Sequence, residues 1–357
     1  MTNTINFKQS KSKIRNMRKL PETMNLDDMR SMVSHFPDML RNPTPDPDII
    51  GICRDYHRDG IEGLCFLGMG GSLIVGSYVK EILSQESHIP IDIVKTYFLP
   101  KWVSKDWIVV AISYSGNTEE TLTSLGHAKE RGSRILTITS GGQMAKEYSR
   151  YPQVIVDKGA QPRAAFPVLL SEVLPISESL IGVKITNLVK VSENLISASK
   201  TWGESISKPS VIAQKIHNRI PLFIGAQHMS PVAYRAKCQI NENSKAEAFY
   251  SEIPEATHNE IEGFPYNEKG SIIPVFLRCF GEDSQISRRM DITFNLYKEI
   301  GLNPIDLNSI GESKIDSMLS LTHYLDMVSV ELADKRGVNA VSVTRIGELK
   351  KRLAFKG

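Results

Sequence analysis

The chain has 357 residues, of which 41% are hydrophobic and 23% charged, and a formal net charge of +3. That length and apolar content suit two globular domains, or one large one, with a sizeable core. The charge is too small to argue for nucleic acid, and no apolar run approaches the ~20 residues of a membrane span.

The first nineteen positions hold Lys8, Lys11, Lys13, Arg15, Arg18 and Lys19 and no acid. This basic arm lacks the apolar centre of a signal peptide. It reads as a solvated tail, with nucleic-acid or membrane-surface contact as the alternative. Cys53, Cys65, Cys238 and Cys279 form no CxxC pair, and the chain reads as cytoplasmic and reduced. Cys65 and Cys279 fall in apolar runs and are expected to be buried small hydrophobes.

In chain order, Asn25 is expected to cap a helix that starts at Leu26 and ends near Leu40. A Pro-rich loop over 42–47 follows. Strands are expected over 63–68, 91–94, 107–113, 134–139 and 154–156, with helices over 72–83 and 118–130 between them. Residues 163–202 read as mostly helical. A second alternation places strands at 221–225, 272–277 and 304–307, with helices at 231–241, 284–300 and 313–335. The last of these is expected to be largely amphipathic. A final helix covers 346–353. Such β-α-β alternation predicts α/β architecture: two doubly wound parallel sheets with helices on both faces, plus helical N- and C-terminal segments.

Two turns carry chemistry. Gly68-Met69-Gly70-Gly71-Ser72 closes the first strand and opens a helix, and its glycines allow close backbone approach. The dinucleotide spacing G-x-G-x-x-G and the G-K-[ST] of a P-loop are both missing, which argues against NAD and ATP. Ser113-Tyr114-Ser115-Gly116-Asn117-Thr118 joins a buried strand to a helix start. The unpaired N–H groups of that helix end and its dipole favour an anion. The three aliphatic hydroxyls add donors without charge, so the expected guest is a phosphate. A capping box on Thr118, closed by Glu120 or Thr121, would explain Thr118 alone.

Gly70-Gly71-Ser72 followed by Ser-x-Ser-Gly-x-Thr resembles the phosphosugar-binding pattern of sugar isomerase (SIS) domains. Pro162-Arg163-Ala164-Ala165, Asn241-Glu242-Asn243-Ser244-Lys245 and His258-Asn259-Glu260 narrow the likeness to the archaeal-type bifunctional phosphoglucose/phosphomannose isomerases. It runs from about residue 45 to the C-terminus. It implies an isomerase working through a cis-enediol(ate), with a homodimer that shares its active sites. The resemblance also implies phosphate binding by Gly70, Gly71, Ser72, Ser113, Ser115 and Thr118, and catalysis by Glu242, His258, Arg163 and a lysine of the last helix.

Aldose–ketose isomerisation needs one base to move a proton between C1 and C2, and Glu242 is that expected base. The asparagines on either side could position it through amide hydrogen bonds. The resemblance assigns ring opening to His258, delivered by the neighbouring subunit; an imidazole titrates near neutrality and suits the step. Arg163, expected at a helix start, stabilises the enediolate or orients the groups near it. The Ile-x-x-Leu-Lys spacing favours Lys350, with Lys351 the alternative. Leu73 stands where the family has a small residue, and Phe166-Pro167 interrupts its usual apolar run. A threonine associated with mannose phosphate falls seven residues before Lys351, as Thr344, but six before Lys350, so mannose phosphate use is the weaker expectation.

The expected domains are residues 1–44 (arm and first helix), 45–160 (first SIS domain), 161–205 (helical connector), 206–340 (second SIS domain) and 341–357 (C-terminal helix). The eight histidines show no H-x-H or H-E-x-x-H spacing, so no metal and no cofactor is expected. The partners expected are a sugar phosphate and a second copy, with no nucleic acid and no membrane. A non-catalytic sugar-phosphate sensor and a glucosamine-type isomerase are the competing functions.

Overall fold

A computed structural model describes residues 20–25, 27–41, 45–266 and 271–354. The basic arm lies outside the described residues. The chain divides into two compact units. One comprises the described part of Met1–Met24 with Asp38–Lys190, the other Asn25–Pro37 with Val191–Gly357. The division at 190/191 falls inside the helix Leu188–Lys200.

The first unit holds five parallel strands: β1 (Gly63–Leu67), β2 (Ile91–Val94), β3 (Trp107–Ser113), β4 (Arg134–Thr139) and β5 (Gln153–Ile155), in the order β2-β1-β3-β4-β5. Every residue of β1 and β3 is buried, as expected of parallel strands covered on both faces. On one face Cys65, Val109, Ala111, Leu125, Ile135 and Met144 share a core. Leu67 pairs with Ala111, and β3 runs two residues further to place Ser113 beside Thr139. The polar end of β3 therefore projects past β1 at the carboxyl edge of the sheet.

The second unit holds β6 (Ile220–Ala226), β7 (Phe249–Ile253), β8 (Ile272–Arg278) and β9 (Ile305–Asn308), all parallel, in the order β7-β6-β8-β9. β7 was not expected: it is an edge strand with three of its five residues exposed, so its sequence carries no continuous apolar run. The helix Lys314–Lys335 is enclosed along almost its whole length rather than amphipathic. Its buried Asp326 is paired with a guanidinium from the helix Ser230–Ser244. Arg235 Nε and Nη2 donate to the two carboxylate oxygens of Asp326 at 3.1 and 2.6 Å, both side chains being almost fully buried.

Three local expectations change. The first helix spans Met29–Ser34 and is capped by Asp28, whose side chain accepts from the Arg30 N–H. It stops at His35, and a second helix, Phe36–Arg41, begins there. Asn25 instead accepts from the Asp27 N–H. Phe166-Pro167 opens the helix Phe166–Ile181, because proline at the first turn loses no needed N–H. Cys279 lies just beyond β8 and is only partly buried. No helix among the described residues is long and apolar enough to cross a membrane.

Candidate active site

In a sheet ordered 2-1-3-4-5 the chain leaves β1 and β3 in opposite directions. Ligands of folds with this order bind at the carboxyl ends of those two strands. Both sequence-predicted turns sit there. The first enters the helix Gly70–Leu83, whose cap residue Met69 offers no side-chain bond. Gly70 adopts φ +53°, and Gly71 packs closely for a different reason: a Cβ there would stand 3.2 Å from the Pro162 carbonyl oxygen, a tight approach. Ser72 is buried, and its Oγ accepts from the Tyr114 N–H at 3.3 Å. This bond ties the turn after β1 to the turn after β3.

The second turn is closed from within. Ser113 is 1% exposed. Its Oγ accepts from the Gly116 N–H at 3.1 Å and lies 2.9 Å from Thr118 Oγ1. Gly116 has φ +69°, and its carbonyl accepts from Met144 N–H at 2.9 Å. The capping box is not formed. Thr118 occupies the cap position of the helix Glu119–Glu130 without a side-chain cap bond, and Thr121 is buried with its hydroxyl unpartnered. Asn117 works elsewhere: its Oδ1 accepts from Gln143 N–H at 2.9 Å and caps the helix Gly142–Glu147. Ser115 is exposed and accepts from Asn117 N–H at 3.3 Å. The turn thus presents Ser115, Thr118 and an uncapped helix end, which together can hold an anion.

Arg163 is 3% exposed. It belongs to a turn three residues before the helix Phe166–Ile181, not to a helix start. Its backbone lies against Gly71, and its Nη1 donates to Gln161 Oε1 at 3.3 Å. The first unit therefore brings together Gly70, Gly71, Ser72, Ser113, Ser115, Thr118 and Arg163.

The second unit carries Glu242, His258 and Lys350 on three separate elements. Glu242 is half-buried in the last turn of the helix Ser230–Ser244. Its neighbours clamp that helix end. Asn241 Nδ2 donates to the Ala246 carbonyl at 2.9 Å, Asn243 Nδ2 to Ser329 Oγ at 2.8 Å, and Ser244 Oγ to the Ser329 carbonyl at 2.6 Å. The chain reverses through Lys245 at φ +53°, and its ammonium reaches back to the Glu242 carbonyl. The asparagine amides thus hold the backbone that carries the carboxylate.

Tyr234 and Cys238 precede Glu242 at four-residue spacing, so all three share one helical face. Tyr250 packs edge-on against Tyr234 at 5.0 Å. Burial raises the Tyr234 hydroxyl to about 12 and also raises the Cys238 thiol, with the Glu242 charge adding to both. The sequence reading missed this wall; the four-residue spacing was its signal.

His258 ends the short 3-10 helix Glu255–His258 and is exposed. Lys350 and Lys351 are exposed on the helix Thr344–Ala354. No hydrogen bond or ion pair joins His258 to Lys350 among the described residues. No group of three or more His, Cys, Asp or Glu is arranged to hold a metal ion among them either.

Residues 206–353 match the family model of the bacterial phospho-glucose isomerase C-terminal SIS domain, and residues 62–162 that of the SIS domain. A bifunctional phosphoglucose/phosphomannose isomerase of Aquifex aeolicus is 38% identical over 298 residues, 82% of this chain and 90% of the relative. The chain belongs to that family. A D-glucosamine-6-phosphate 4-epimerase of Sulfolobus acidocaldarius is 33% identical over 224 residues, 60% of this chain and 68% of the relative. Among solved structures, the C-terminal domain of glucosamine-fructose-6-phosphate aminotransferase from Francisella tularensis shares the fold. Its TM-score is 0.68 at 14% identity, covering 88% of this chain and 98% of that one.

Proposed function

We propose that the protein interconverts glucose 6-phosphate with fructose 6-phosphate, and mannose 6-phosphate with fructose 6-phosphate. The observation that carries this reading is the pair of turns joined by the Ser72–Tyr114 bond, with buried Ser113 and Arg163 beside it, in a chain of this family.

The turns anchor the substrate phosphate through Ser115, Thr118 and backbone N–H groups, with Ser72 and Ser113 holding the turns in the binding shape. Anchoring one end of the sugar turns proton transfer at the other end into a positioned step. His258 of the partner subunit, with Lys350, moves a proton at the ring oxygen to open the ring. The Glu242 carboxylate takes the C2 proton of the open-chain aldose, giving the cis-enediol(ate), and returns it to C1 to form the ketose. The hydroxyl proton passes between O2 and O1, so no redox partner is consumed. The Arg163 guanidinium stabilises the enediolate charge. Glucose and mannose phosphates differ only in configuration at C2, so one enediol serves both.

The test is a coupled assay with fructose 6-phosphate as substrate, run with and without chelator, reading glucose and mannose 6-phosphate separately. Formation of both without metal dependence is the expected result. Turnover restricted to amino-sugar phosphates would favour the chemistry named for the Sulfolobus relative.

A further inference from the structure

Leu20, the first described residue, is bonded into the candidate site. Its N–H donates to Asp157 Oδ2 at 2.9 Å. Asp157 follows β5, and its carbonyl accepts from the Tyr114 hydroxyl at 2.8 Å. Tyr114 stands between Ser113 and Ser115, and its N–H donates to Ser72 Oγ at 3.3 Å. Hydrogen bonds thus lead from Leu20 to the turns after β1 and β3. Directly before Leu20 in the chain come Arg18 and Lys19. Residues 1–19, which lie outside the described residues, contain six cations and no acid.

Lys158, next to Asp157, adds a further cation. It is exposed, and its ammonium lies along the turn after β4: a Cβ on Gly141 would stand 2.8 Å from its Nζ. Gly141 in turn abuts Gly116, the centre of the phosphate-facing turn, where a Cβ would meet the Gly141 carbonyl oxygen at 1.8 Å. Among the described residues Lys158 makes no ion pair.

The described rim is short of positive charge for an anion site. Glu119 and Glu120 form the first turn of the helix that opens at Thr118. They suit the positive end of the helix dipole, but they repel an incoming dianion. Asp157 adds another carboxylate beside the turn. Against these, Arg163 and Lys158 set only two cations, and Ser115 and Thr118 are neutral.

We propose that the basic arm, tethered at Asp157 and joined by Lys158, captures the phosphate dianion of the substrate and raises its concentration at the turns. Clustered charge of one sign does this for small ions of the other, and speeds their association. The attraction decays over about 10 Å at 0.1 M salt, so the cations must be held beside the site. The bond from Leu20 to Asp157 holds the end of the arm there. The inference rests on the reading that the turns bind a sugar phosphate.

Calorimetric binding of inorganic phosphate and of fructose 6-phosphate, alongside steady-state kinetics, tests it at low and high salt. K8Q/K11Q/K13Q/R15Q/R18Q/K19Q should weaken both ligands about fivefold or more at low salt, and K158Q about twofold. Both losses should vanish at about 1 M salt, where screening acts within about 3 Å. They should appear in kcat/KM and not in kcat, since capture precedes chemistry. An arm of the same composition in shuffled order should bind as wild type. Asp157→Ala removes a negative charge, which alone would strengthen anion binding; loss of the tether should weaken it at low salt instead. Equal affinity of wild type and the neutral-arm variant at low salt would overturn the proposal, whatever the turnover. So would tighter binding by Asp157→Ala, or a neutral arm that spares phosphate and loses binding to a single-stranded RNA oligonucleotide. The expected losses in a protein that isomerises no hexose phosphate would keep the capture and remove the isomerase reading.

Discussion

Ser113 Oγ and Thr118 Oγ1 lie 2.9 Å apart across the turn that follows β3. The same Ser113 oxygen accepts from Gly116 N–H. One buried hydroxyl therefore sets the shape of the phosphate-facing turn, while the hydroxyl of Thr118 stays half-exposed at the helix end.

Ser113→Ala should raise the KM for sugar phosphate by about tenfold or more and lower kcat less. The protein loses about 1 kcal/mol of stability, the usual net worth of a buried hydrogen bond. Steady-state kinetics with a denaturant melt check this. An equal fall in kcat at constant KM would show that Ser113 acts on the reacting carbons instead.

Gly116→Ala and Gly70→Ala should differ sharply, although both glycines have positive φ. A Cβ on Gly116 would meet the Gly141 carbonyl oxygen at 1.8 Å, whereas one on Gly70 meets nothing within 4 Å. The Gly70 change costs about 1–2 kcal/mol for the left-handed backbone. The Gly116 change must displace the turn and abolish stabilisation of the protein by added glucose 6-phosphate. Thermal shift with and without the sugar phosphate distinguishes them.

Glu242→Gln keeps the shape of the side chain and removes the base. Turnover should fall by at least about 10³-fold, at the upper part of the range for general base catalysis, with sugar-phosphate binding retained. Near-normal turnover by Glu242→Gln would remove the glutamate from the mechanism.

Asp326→Ala should destabilise the protein by about 3–5 kcal/mol, because it leaves the buried Arg235 guanidinium without its carboxylate. Arg235 sits on the helix that ends at Glu242. Activity should therefore fall in step with loss of folded protein at low denaturant. Urea titration followed by activity and by circular dichroism tests the coincidence.

His323 is stacked on Phe36 at 5.4 Å and lies 5.0 Å from Trp202. Burial pushes its pKa down to about 4, with the Val33 backbone only partly opposing. The unfolded chain then binds a proton that the folded chain refuses between about pH 6.5 and pH 4. Stability is full above that window and falls as pH drops through it, by about 2 kcal/mol between pH 7 and 5 for this group. His228, also buried and held down at about 4, adds in the same direction. His323→Gln should flatten part of the decline in melting temperature over this range. An unchanged slope would show that His323 does not drive it.

The strands most faithfully anticipated are β2, β3 and β4, which match at both ends. β3 and β4 are short, largely apolar runs bounded by turns, the pattern parallel burial demands, and β2 is a short run rich in Ile and Val. The edge strand β7 failed because exposed residues carry no such signal. The start of the first helix differs because Asn25 and Asp28 are both competent caps. Only the bond from Arg30 N–H to Asp28 chooses among them.

The sequence by itself determined that hydroxyls and glycines crowd the turn after β3, since local composition records what an anion-binding helix end requires. It also held Glu242, His258 and Arg163 in an order readable by resemblance. Tertiary structure decided which of those turn residues work on the turn itself. Asn117 is spent on the helix Gly142–Glu147, Ser113 on Gly116 and Thr118. It also turned Asn241 and Asn243 into clamps of the helix end, and left Ile292 and Leu296 outside the core. The reason is that hydrogen-bond partners and burial depend on residues brought close from distant parts of the chain. A local pattern can specify the donor or the apolar face but not what comes to meet it.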